Sequence, residues 1–353
     1  MFKESFKYYK SKWPVPDFKD VIDFNNNSNH TKIEDLQLKD DYAQLGLPLG
    51  MNPLHKWRLF RLVEHPGLIV IRDAFTAHGQ RYWMARSLKD YPKYPNRVNL
   101  NERLFNKTVL DDWWSSLQQC DDKDEARRMK ISMRWTTLGY HHNWDTKVYS
   151  EELHTEFPED LARMTNFFAN VLGYDNYKAQ AAIVNYYPIG TTLAGHTDHS
   201  EQNLEAPLFS FSFGQTAIFL IGGKTREEKP SALFLESGDV LVMSEQSRLC
   251  YHAVPRVMKA RQETWNIQMP TPTQNQEIIK IDTLQPAKKL RTDISFWNNN
   301  EVETALAWSM DPLVYEQVSN ELHWLPFKNY LHDSRININV RQVLNNQQQS
   351  LSC

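Results

Sequence analysis

Three residues have the types and the spacing of a metal site. His196 and Asp198 are separated by one residue, and residues at i and i+2 of an extended segment project from the same face. His252 follows 54 residues after Asp198, in another strand-like run. Two histidines and one carboxylate are the ligands of non-haem iron(II) sites that keep positions open for a cosubstrate and oxygen. Polar surface residues beside a turn would give the same pattern. His199 is a poorer ligand candidate because it points to the opposite face.

A segment near the C-terminus has the pattern of an acid-binding strand. One face of the strand carries Arg335, Asn337, Asn339 and Arg341, and the other face is apolar. Each guanidinium can hold a carboxylate through two hydrogen bonds, and roughly 20 Å of strand separates the two arginines. A dicarboxylate held from both ends suits this geometry. The alternative is an ordinary surface strand with its polar face toward water.

A similar pattern precedes the metal residues. In AQAAIVNYYP, Asn185 and Tyr187 share one face, and Asn185 lies 11 residues before His196. Two neutral donors there can hydrogen-bond a carboxylate close to the metal. The alternative is a buried pair whose side chains satisfy each other in the core.

A β-rich core must position these residues. Between Ala179 and Met269 the sequence consists of short β-type runs separated by turn signals, which favours a sandwich, jelly roll or barrel. The predicted strands are AQAAIVNYY, LFSFSFG, TAIFLIGG, SALFLE, DVLVMSE, CYHAVPRV, ETWNIQM and, after an insertion, RININVRQV. The sheet is therefore expected to close across that insertion.

The rest of the chain is predicted to be mainly helical, which makes the fold class α+β. Helical patterns predominate from Phe2 to about Asp175, including a helix that starts near Glu159 and ends at Gly173. The expected division is a helical N-terminal extension at 1–130, a β-rich domain at 131–343 with an insertion at about 270–334, and a mobile tail at 344–353. The tract FNNNSNHT near Asn25 is also predicted to be mobile.

Composition narrows the class of protein. The 353 residues are 41% hydrophobic, which supports a substantial core, but no apolar run approaches the roughly 20 residues that cross a membrane. The N-terminus lacks the features of a secretory signal, and three scattered cysteines indicate a reducing, intracellular compartment. The formal net charge is −3, yet residues 81–134 hold 12 Lys/Arg against 8 Asp/Glu, which indicates either a basic face or an ordinary solvated surface.

Taken together, the motifs resemble the AlkB family of nucleic-acid dioxygenases. The resemblance covers NYYPIGTTLAGHTDHSE, SGDVLVMSEQSRLCYHAVPRV and R-x-N-x-x-x-R in the order that the family has, from about Ile131 to Val343. The N-terminal half, with RWTTLGYHHNWDTKVYS, is similar to the AlkB homologue 1 branch found in animals. The implied core is a double-stranded β-helix, or jelly roll.

The resemblance implies a role for each motif residue. His196, Asp198 and His252 are implied to bind Fe(2+), with O2 as a second cosubstrate. The residues implied to hold 2-oxoglutarate are Asn185, Tyr187, Arg335, Asn337 and Arg341. At two positions the chain departs from the family: Asn339 stands where Thr is common, and Ser200 where bacterial repair enzymes carry an acidic residue used in base recognition. Base preference copied from those enzymes is therefore in doubt.

The implied substrate is a methylated base, which must be unpaired or flipped out to reach a buried metal. Trp135 and Tyr140 fall in the family's substrate lid and are candidates for stacking, whereas Trp144 is favoured as a core aromatic. The candidates for phosphate contact are Arg127, Arg128 and Lys130. The expected partner is tRNA or locally unpaired DNA, with no membrane, and the chain is expected to be a monomer.

The leading hypothesis is an iron(II)- and 2-oxoglutarate-dependent dioxygenase that demethylates or oxidises methylated bases. By resemblance, tRNA carrying 1-methyladenine or 5-methylcytosine ranks ahead of DNA carrying N6-methyladenine, in the nucleus, the mitochondrion or the cytoplasm. The alternatives are a protein-directed hydroxylase or demethylase with the same cofactors, a non-catalytic nucleic-acid-binding scaffold, and a cupin-like barrel with another metal. The polar strand from Arg335 to Arg341 counts against the last of these.

Overall fold

Two antiparallel sheets, packed face to face, form the centre of the molecule. The computed structural model describes residues 1–26, 31–38, 46–267 and 299–351. The helices are α1 Phe2–Lys10, α2 Ala77–Ala85, α3 Lys107–Asp111, α4 Trp113–Gln118, α5 Lys123–Ser132, α6 Glu159–Val171, α7 Asn299–Ala307, α8 Pro312–Ser319 and α9 Glu321–Leu331. The strands are β1 Ile33–Leu36, β2 Arg58–Leu62, β3 Leu68–Arg72, β4 Arg97–Val98, β5 Trp135–Gly139, β6 Ala181–Pro188, β7 Leu193–His196, β8 Leu208–Gly214, β9 Thr216–Ile221, β10 Ser231–Leu235, β11 Val240–Met243, β12 His252–Met258 and β13 Ser334–Arg341.

The strand order is that of a jelly roll. The large sheet has the order β1-β2-β3-β11-β8-β13-β6-β5-β4, and the small sheet has the order β10-β9-β12-β7. Strand β13 lies between β8 and β6, with Arg335 opposite Tyr187 and Arg341 opposite Ala181. The last strand of the chain therefore closes the sheet across the insertion, as predicted, and the predicted α+β fold class is confirmed.

Apolar side chains fill three layers. One cluster lies between the sheets, a second between the large sheet and the helices, and a third under α1 on the outer face of the small sheet. Strand β9 shows why its sequence is apolar throughout: Phe219 and Ile221 face the large sheet, while Ile218 and Leu220 face α1. A strand covered on both faces loses the polar alternation of a surface strand.

Most of the predicted strands are confirmed, and one is wrong. Residues 263–267 of ETWNIQM form no strand. Trp265 is nevertheless fully buried, and its carbonyl accepts a hydrogen bond of 2.7 Å from Arg81. Burial of this aromatic residue against a helix produced the apolar pattern that resembles a strand.

The N-terminal region is less helical than predicted. Strands β2 and β3 lie inside the expected helical extension and join the large sheet, where β3 pairs with β11. All five residues of β3, LIVIR, are buried. A short apolar run without alternation fits a buried helix as well as a buried strand, so periodicity alone could not identify these strands.

The C-terminal tail packs on the domain instead of extending from it, against the prediction of a mobile segment. Leu344 and Leu351 are buried in a cluster with Tyr140 and Tyr149. The prediction of a mobile tail followed its Asn/Gln-rich composition and overlooked these two apolar residues. Residues 352–353, like 27–30 of the Asn-rich tract, lie outside the described residues.

The insertion is fixed to the helical layer through its second half. Residues 268–298 lie outside the described residues, and 299–331 form α7, α8 and α9. Tyr82 of α2 packs on Tyr315 and accepts a hydrogen bond from the Asp311 backbone at 2.9 Å. Arg81 donates to the carbonyl of Val318 and lies over the ring of Trp324. In the described parts of the chain, no helix has the length and apolar character needed to cross a membrane.

Arg81 should hold the insertion in place. Its side chain is 1% exposed, and it donates to two main-chain carbonyls and pairs with Glu321 at 2.7 Å. Arg81→Ala is expected to lower the free energy of unfolding by about 2–4 kcal/mol, because the buried carbonyls lose their donor. Urea titration measures the change, with Lys107→Ala as an exposed control that should stay within about 0.5 kcal/mol. If Arg81→Ala lowered the free energy of unfolding by no more than Lys107→Ala does, Arg81 would not hold the insertion in place.

Candidate metal centre and acid-binding cavity

Two neighbouring strands of the small sheet bring the candidate metal ligands together. His196 ends β7 and His252 begins β12, and the two residues are paired across the strands. Asp198 lies two residues beyond the end of β7, in the following loop and not in the extended segment that the sequence predicted. One ligand atom from each residue lies within 4.8 Å of the other two. Among the described residues, no other group of His, Cys, Asp and Glu meets this criterion.

The two imidazoles are oriented for metal binding by their own backbone. Nδ1 of His196 donates to the Ala194 carbonyl at 2.9 Å, and Nδ1 of His252 donates to the Cys250 carbonyl at 3.1 Å. Because a carbonyl only accepts, each Nδ1 carries a proton, and in the neutral imidazole the lone pair is then on Nε2. The Nε2 atoms lie 3.9 Å and 3.6 Å from oxygens of Asp198. His199 lies in the same loop as Asp198, and its Nδ1 is 2.9 Å from the hydroxyl of Thr197, so the strand face predicted for it does not apply.

The charge states at this cluster also suit a cation. Burial raises the pKa of Asp198, but Arg341 and the two histidines outweigh that effect, and the pKa lies well below its usual range. Burial lowers the pKa of His252 to about 4. At neutral pH the site therefore holds an anionic carboxylate and a neutral His252 imidazole, the forms in which these groups bind metals.

Arg341 serves the metal end of the site. Its Nη2 donates to Asp198 at 3.0 Å, and its Nε pairs with Glu201 at 3.0 Å. Glu201 is itself buried and accepts a second ion pair, from Arg248 at 3.0 Å. Arg248 also donates to the main-chain carbonyl of Asp198 at 2.8 Å. This network fixes both the side chain and the backbone of the carboxylate ligand, and it leaves Arg341 fully paired.

Arg335, at the other end of the same strand, is not fully paired. Its side chain is 1% exposed, and only Nη2 has a partner, the hydroxyl of Ser212 at 2.9 Å. Nε and Nη1 are buried without a hydrogen-bond partner, and so is the hydroxyl of Tyr187, whose ring centroid lies 5.4 Å from the guanidinium carbon. Burial lowers the pKa of Arg335 to about 10, so the guanidinium is still charged at neutral pH. Unpaired buried donors on a cation indicate a place for an anion.

A cavity between the sheets connects Arg335 with the metal cluster. Its polar lining comprises Tyr187, His196, Asp198, Ser210, His252, Arg335, Asn337 and Asn339. Its apolar lining comprises Leu193, Leu208, Phe219, Leu241, Met243 and Val254. Iron(II) at one end and a carboxylate at the other are therefore compatible with the donor set, and the apolar walls fit the methylene groups of a short diacid.

The two predicted asparagines are placed differently from the arginines. Asn337 lines the cavity, but its amide already donates to Ser210 at 2.9 Å and to the Phe211 carbonyl at 3.0 Å. Asn185 is half-buried on β6 and paired in register with Asn337 and Trp135, outside the set that lines the cavity. A cosubstrate role stays a prediction for both side chains.

The burial of Tyr140 and that of Trp144 are the reverse of what was predicted. Tyr140 is 4% exposed, stacks on His154 at 4.2 Å and donates to Glu151 at 2.7 Å, so its ring is a core element and not a free stacking surface. Trp144, favoured as a core residue, is 46% exposed and packs on Trp135 at 5.1 Å. The exposure of the two rings depends on how the β5–α6 connection packs around Tyr140, and the local sequence does not predict that packing.

His142 contacts both Trp144 and the loop that carries Asp198. Its ring lies 4.6 Å from that of Trp144, and its Nε2 is 3.0 Å from the hydroxyl of Ser200, two residues after Asp198. Burial, and next the charge of Arg341, lowers the pKa of His142. The exposed Trp144 and the half-buried Trp135 therefore border the loop that carries the carboxylate ligand.

Two of the three basic candidates already have structural partners. Arg128 pairs with Glu125 at 2.7 Å and lies over Phe105, and Lys130 pairs with Asp333 at 2.6 Å. The ion pair of Arg128 lies within α5 and is exposed, so phosphate contact stays a prediction for Arg128 and Lys130. Arg127 is exposed and remains available for a phosphate.

Sequence reasoning missed Glu201 and Arg248, which complete the site. Glu201 ends the HTDHSE motif, and Arg248 lies four residues before His252. The proximity of each to a metal residue was a usable signal, since buried charges are almost never unpaired. The ion pairs of Glu201 with Arg248 and Arg341 could not be predicted, because they join three distant segments.

The comparisons with known proteins agree with this geometry. A family model described as the 2OG-Fe(II) oxygenase superfamily matches residues 67–341. In mouse, Nucleic acid dioxygenase ALKBH1 is 44% identical over 214 residues, covering 60% of this chain and 55% of the relative. In Arabidopsis thaliana, DNA N(6)-methyladenine demethylase ALKBH1A is 31% identical, covering 70% and 78%. In Schizosaccharomyces pombe, tRNA demethylase abh1 is 34% identical, covering 58% and 72%.

The chain thus spans about half the length of the mouse relative and more than two thirds of the other two. The family match begins at residue 67, upstream of the domain boundary predicted at 131, and it ends with the last core strand. It confirms the predicted jelly-roll core and, for the family, the predicted use of iron(II), 2-oxoglutarate and oxygen. The chain belongs to the 2OG-Fe(II) oxygenase superfamily, within the ALKBH1 branch of the AlkB family.

Proposed function

We propose that this protein is a dioxygenase that uses iron(II), 2-oxoglutarate and oxygen to remove or oxidise methyl groups on nucleic-acid bases. The observation that carries the proposal is Arg335, a buried cation with two unpaired donors, at the far end of a cavity from a His-Asp-His cluster. A metal site that needed no acid would have no use for this charge, which is costly to bury.

The residues divide into two groups by their position in the cavity. His196, Asp198 and His252 would hold iron(II), and Arg335 with the Tyr187 hydroxyl would hold the distal carboxylate of 2-oxoglutarate. When bound, the metal and the acid together supply an oxidant from molecular oxygen, with release of succinate and carbon dioxide. Arg341 keeps Asp198 ionised and in place. The apolar walls exclude water from the reacting atoms.

The substrate class rests on an exposed aromatic ring near the loop of Asp198 and on the relatives. Trp144 presents an exposed ring beside the loop of Asp198, and an aromatic ring can stack on any base. The printed names of the relatives include a tRNA demethylase and a DNA N(6)-methyladenine demethylase. We place tRNA with 1-methyladenine or 5-methylcytosine first and DNA with N6-methyladenine second. The compartment, the monomeric state and the phosphate contacts of Arg127, Arg128 and Lys130 stay predictions.

Loss of the Arg335 charge should weaken the binding of 2-oxoglutarate and leave the binding of the metal unchanged. Arg335→Leu is expected to raise KM for 2-oxoglutarate by about 10- to 100-fold, since a hydrogen-bonded charge contributes about 1.5–3 kcal/mol. Succinate formation measures KM, and cobalt(II) titration should show unchanged metal affinity. Ser212→Ala is the control, because it removes the one partner that Arg335 has in the structure while keeping the charge. An unchanged KM in Arg335→Leu would place the acid elsewhere.

The substrate is tested by direct comparison of methylated polymers. We expect iron- and 2-oxoglutarate-dependent formaldehyde release from tRNA with 1-methyladenine, less from DNA with N6-methyladenine, and none from methylated peptides. His196→Ala should abolish all turnover, because the metal loses a ligand. Mass spectrometry of the nucleosides measures the products. Turnover of peptides alone would overturn the nucleic-acid assignment, and activity retained in His196→Ala would overturn the metal assignment.

Trp144 should contribute to the binding of the nucleic acid and not to the binding of the metal or of 2-oxoglutarate. Trp144→Ala is expected to lower kcat/KM for the methylated polymer by roughly 5- to 150-fold, the equivalent of 1–3 kcal/mol of stacking. Succinate release without a polymer should not change. Trp13→Ala, which removes a tryptophan that is 89% exposed on the N-terminal segment, is the matched control and should leave both rates unchanged. A loss of polymer-free succinate release in Trp144→Ala would indicate a structural role instead.

A further inference from the structure

The N-terminal helix lies directly behind the candidate metal ligands. We propose that Phe2 of α1 is a positioning residue for the metal centre: its ring supports β7 and β12 from the outer face of the small sheet and so holds the two imidazoles in register. The inference rests on the proposed metal site, and it gives the N-terminal helix a role that nothing in the sequence indicated.

Two glycines provide the space for the Phe2 ring. Gly195 directly precedes His196, and a Cβ atom there would lie 2.8 Å from Cε1 of Phe2. Gly222 follows Ile221, the residue of β9 that pairs with His252, and a Cβ atom there would lie 2.8 Å from Cδ2 of the same ring. At both positions any other residue would require the ring or the strand to shift.

The ring also meets the chain neighbour of the second histidine. Tyr251 directly precedes His252, and its ring centroid lies 6.3 Å from that of Phe2, at an angle of 60°. Side chains alternate along a strand, so the residue before an inward-facing ligand faces outward. Phe2, itself 3% exposed, therefore contacts the outward-facing neighbours of both histidines without entering the cavity.

The helix that carries Phe2 is fixed at both ends. The backbone N–H of Phe2 donates to the Arg226 carbonyl at 3.1 Å. At the other end, Arg256 of β12 donates to the Tyr9 carbonyl at 2.8 Å and to the Ser11 carbonyl. The helix cannot slide along the sheet without breaking one of these contacts, so the ring has a defined position.

The strands behind the histidines need such support. Strand β7 is the edge strand of the small sheet, with β12 as its single neighbour. The pairing is short, and it is interrupted by a register shift between His252 and Val254. Metal ligands must be held to within about 0.5 Å, which one irregular strand pair does not ensure. The ring of Phe2 supplies packing where backbone hydrogen bonds are few.

The test measures metal binding in the 353-residue chain. In Phe2→Ala, cobalt(II) affinity should fall on the order of tenfold, in the range seen when residues supporting metal ligands are removed, and the cobalt absorption spectrum should change. Phe2→Leu should recover most of the affinity. Trp13→Ala, an exposed aromatic of the same segment, should leave the affinity unchanged. Val21→Ala, in the same apolar cluster, should lower the unfolding midpoint without changing the spectrum.

A double substitution separates positioning from general stability. Gly195→Ala alone should weaken cobalt(II) binding, because its methyl group meets the ring of Phe2. In the double variant with Phe2→Ala, the methyl group has room, so the two losses should be clearly less than additive. Additive losses, or a Phe2→Ala variant that loses stability but keeps wild-type affinity and spectrum, would overturn the inference. If the wild-type chain bound no cobalt(II), the proposed function itself would fail.

Discussion

Strand β13 carries two guanidinium groups into the space between two sheets, and a charge in that position needs a partner. This constraint organises the site. Ile336, Ile338 and Val340 fill the helical side of the large sheet, so strand alternation obliges Arg335 and Arg341 to face the small sheet. Because a buried unpaired charge is costly, the surroundings must supply an anion for each arginine.

The two arginines, at opposite ends of β13, differ in how their charges are paired. Arg341 is neutralised by Asp198 and Glu201, which are part of the chain. Arg335 has a single hydroxyl partner and two unpaired donors. The cavity therefore has a metal end, already neutralised by protein carboxylates, and an acid end, which requires a ligand. A linear dicarboxylate that also binds the metal satisfies both ends at once, and the orientation in which it binds follows from this asymmetry.

The parts of this arrangement that depend on local pattern were predictable from sequence. The alternation of Arg335–Arg341 identified the correct faces of β13, and the spacing of His196, Asp198 and His252, together with the family resemblance, predicted the cluster. The parts that depend on long-range pairing were not. The ion pair between Arg341 and Glu201 could not be predicted, because the two residues come from distant segments, and a role of Arg341 in holding the acid stays a prediction. Tyr140 and Trp144 could not be told apart, since burial of an aromatic residue is set by the chain that covers it. Strand β3 was missed because an apolar run without alternation does not distinguish strand from helix.

In the proposed function, the unpaired charge of Arg335 selects a diacid. The most direct measurement compares two ligands of the cobalt(II)-loaded wild-type chain by isothermal titration calorimetry. The ligands are 2-oxoglutarate and 2-oxopentanoate, which has a methyl group in place of the distal carboxylate. We expect 2-oxoglutarate to bind more tightly by roughly 10- to 100-fold, the equivalent of a charged hydrogen bond. Equal affinities would contradict it.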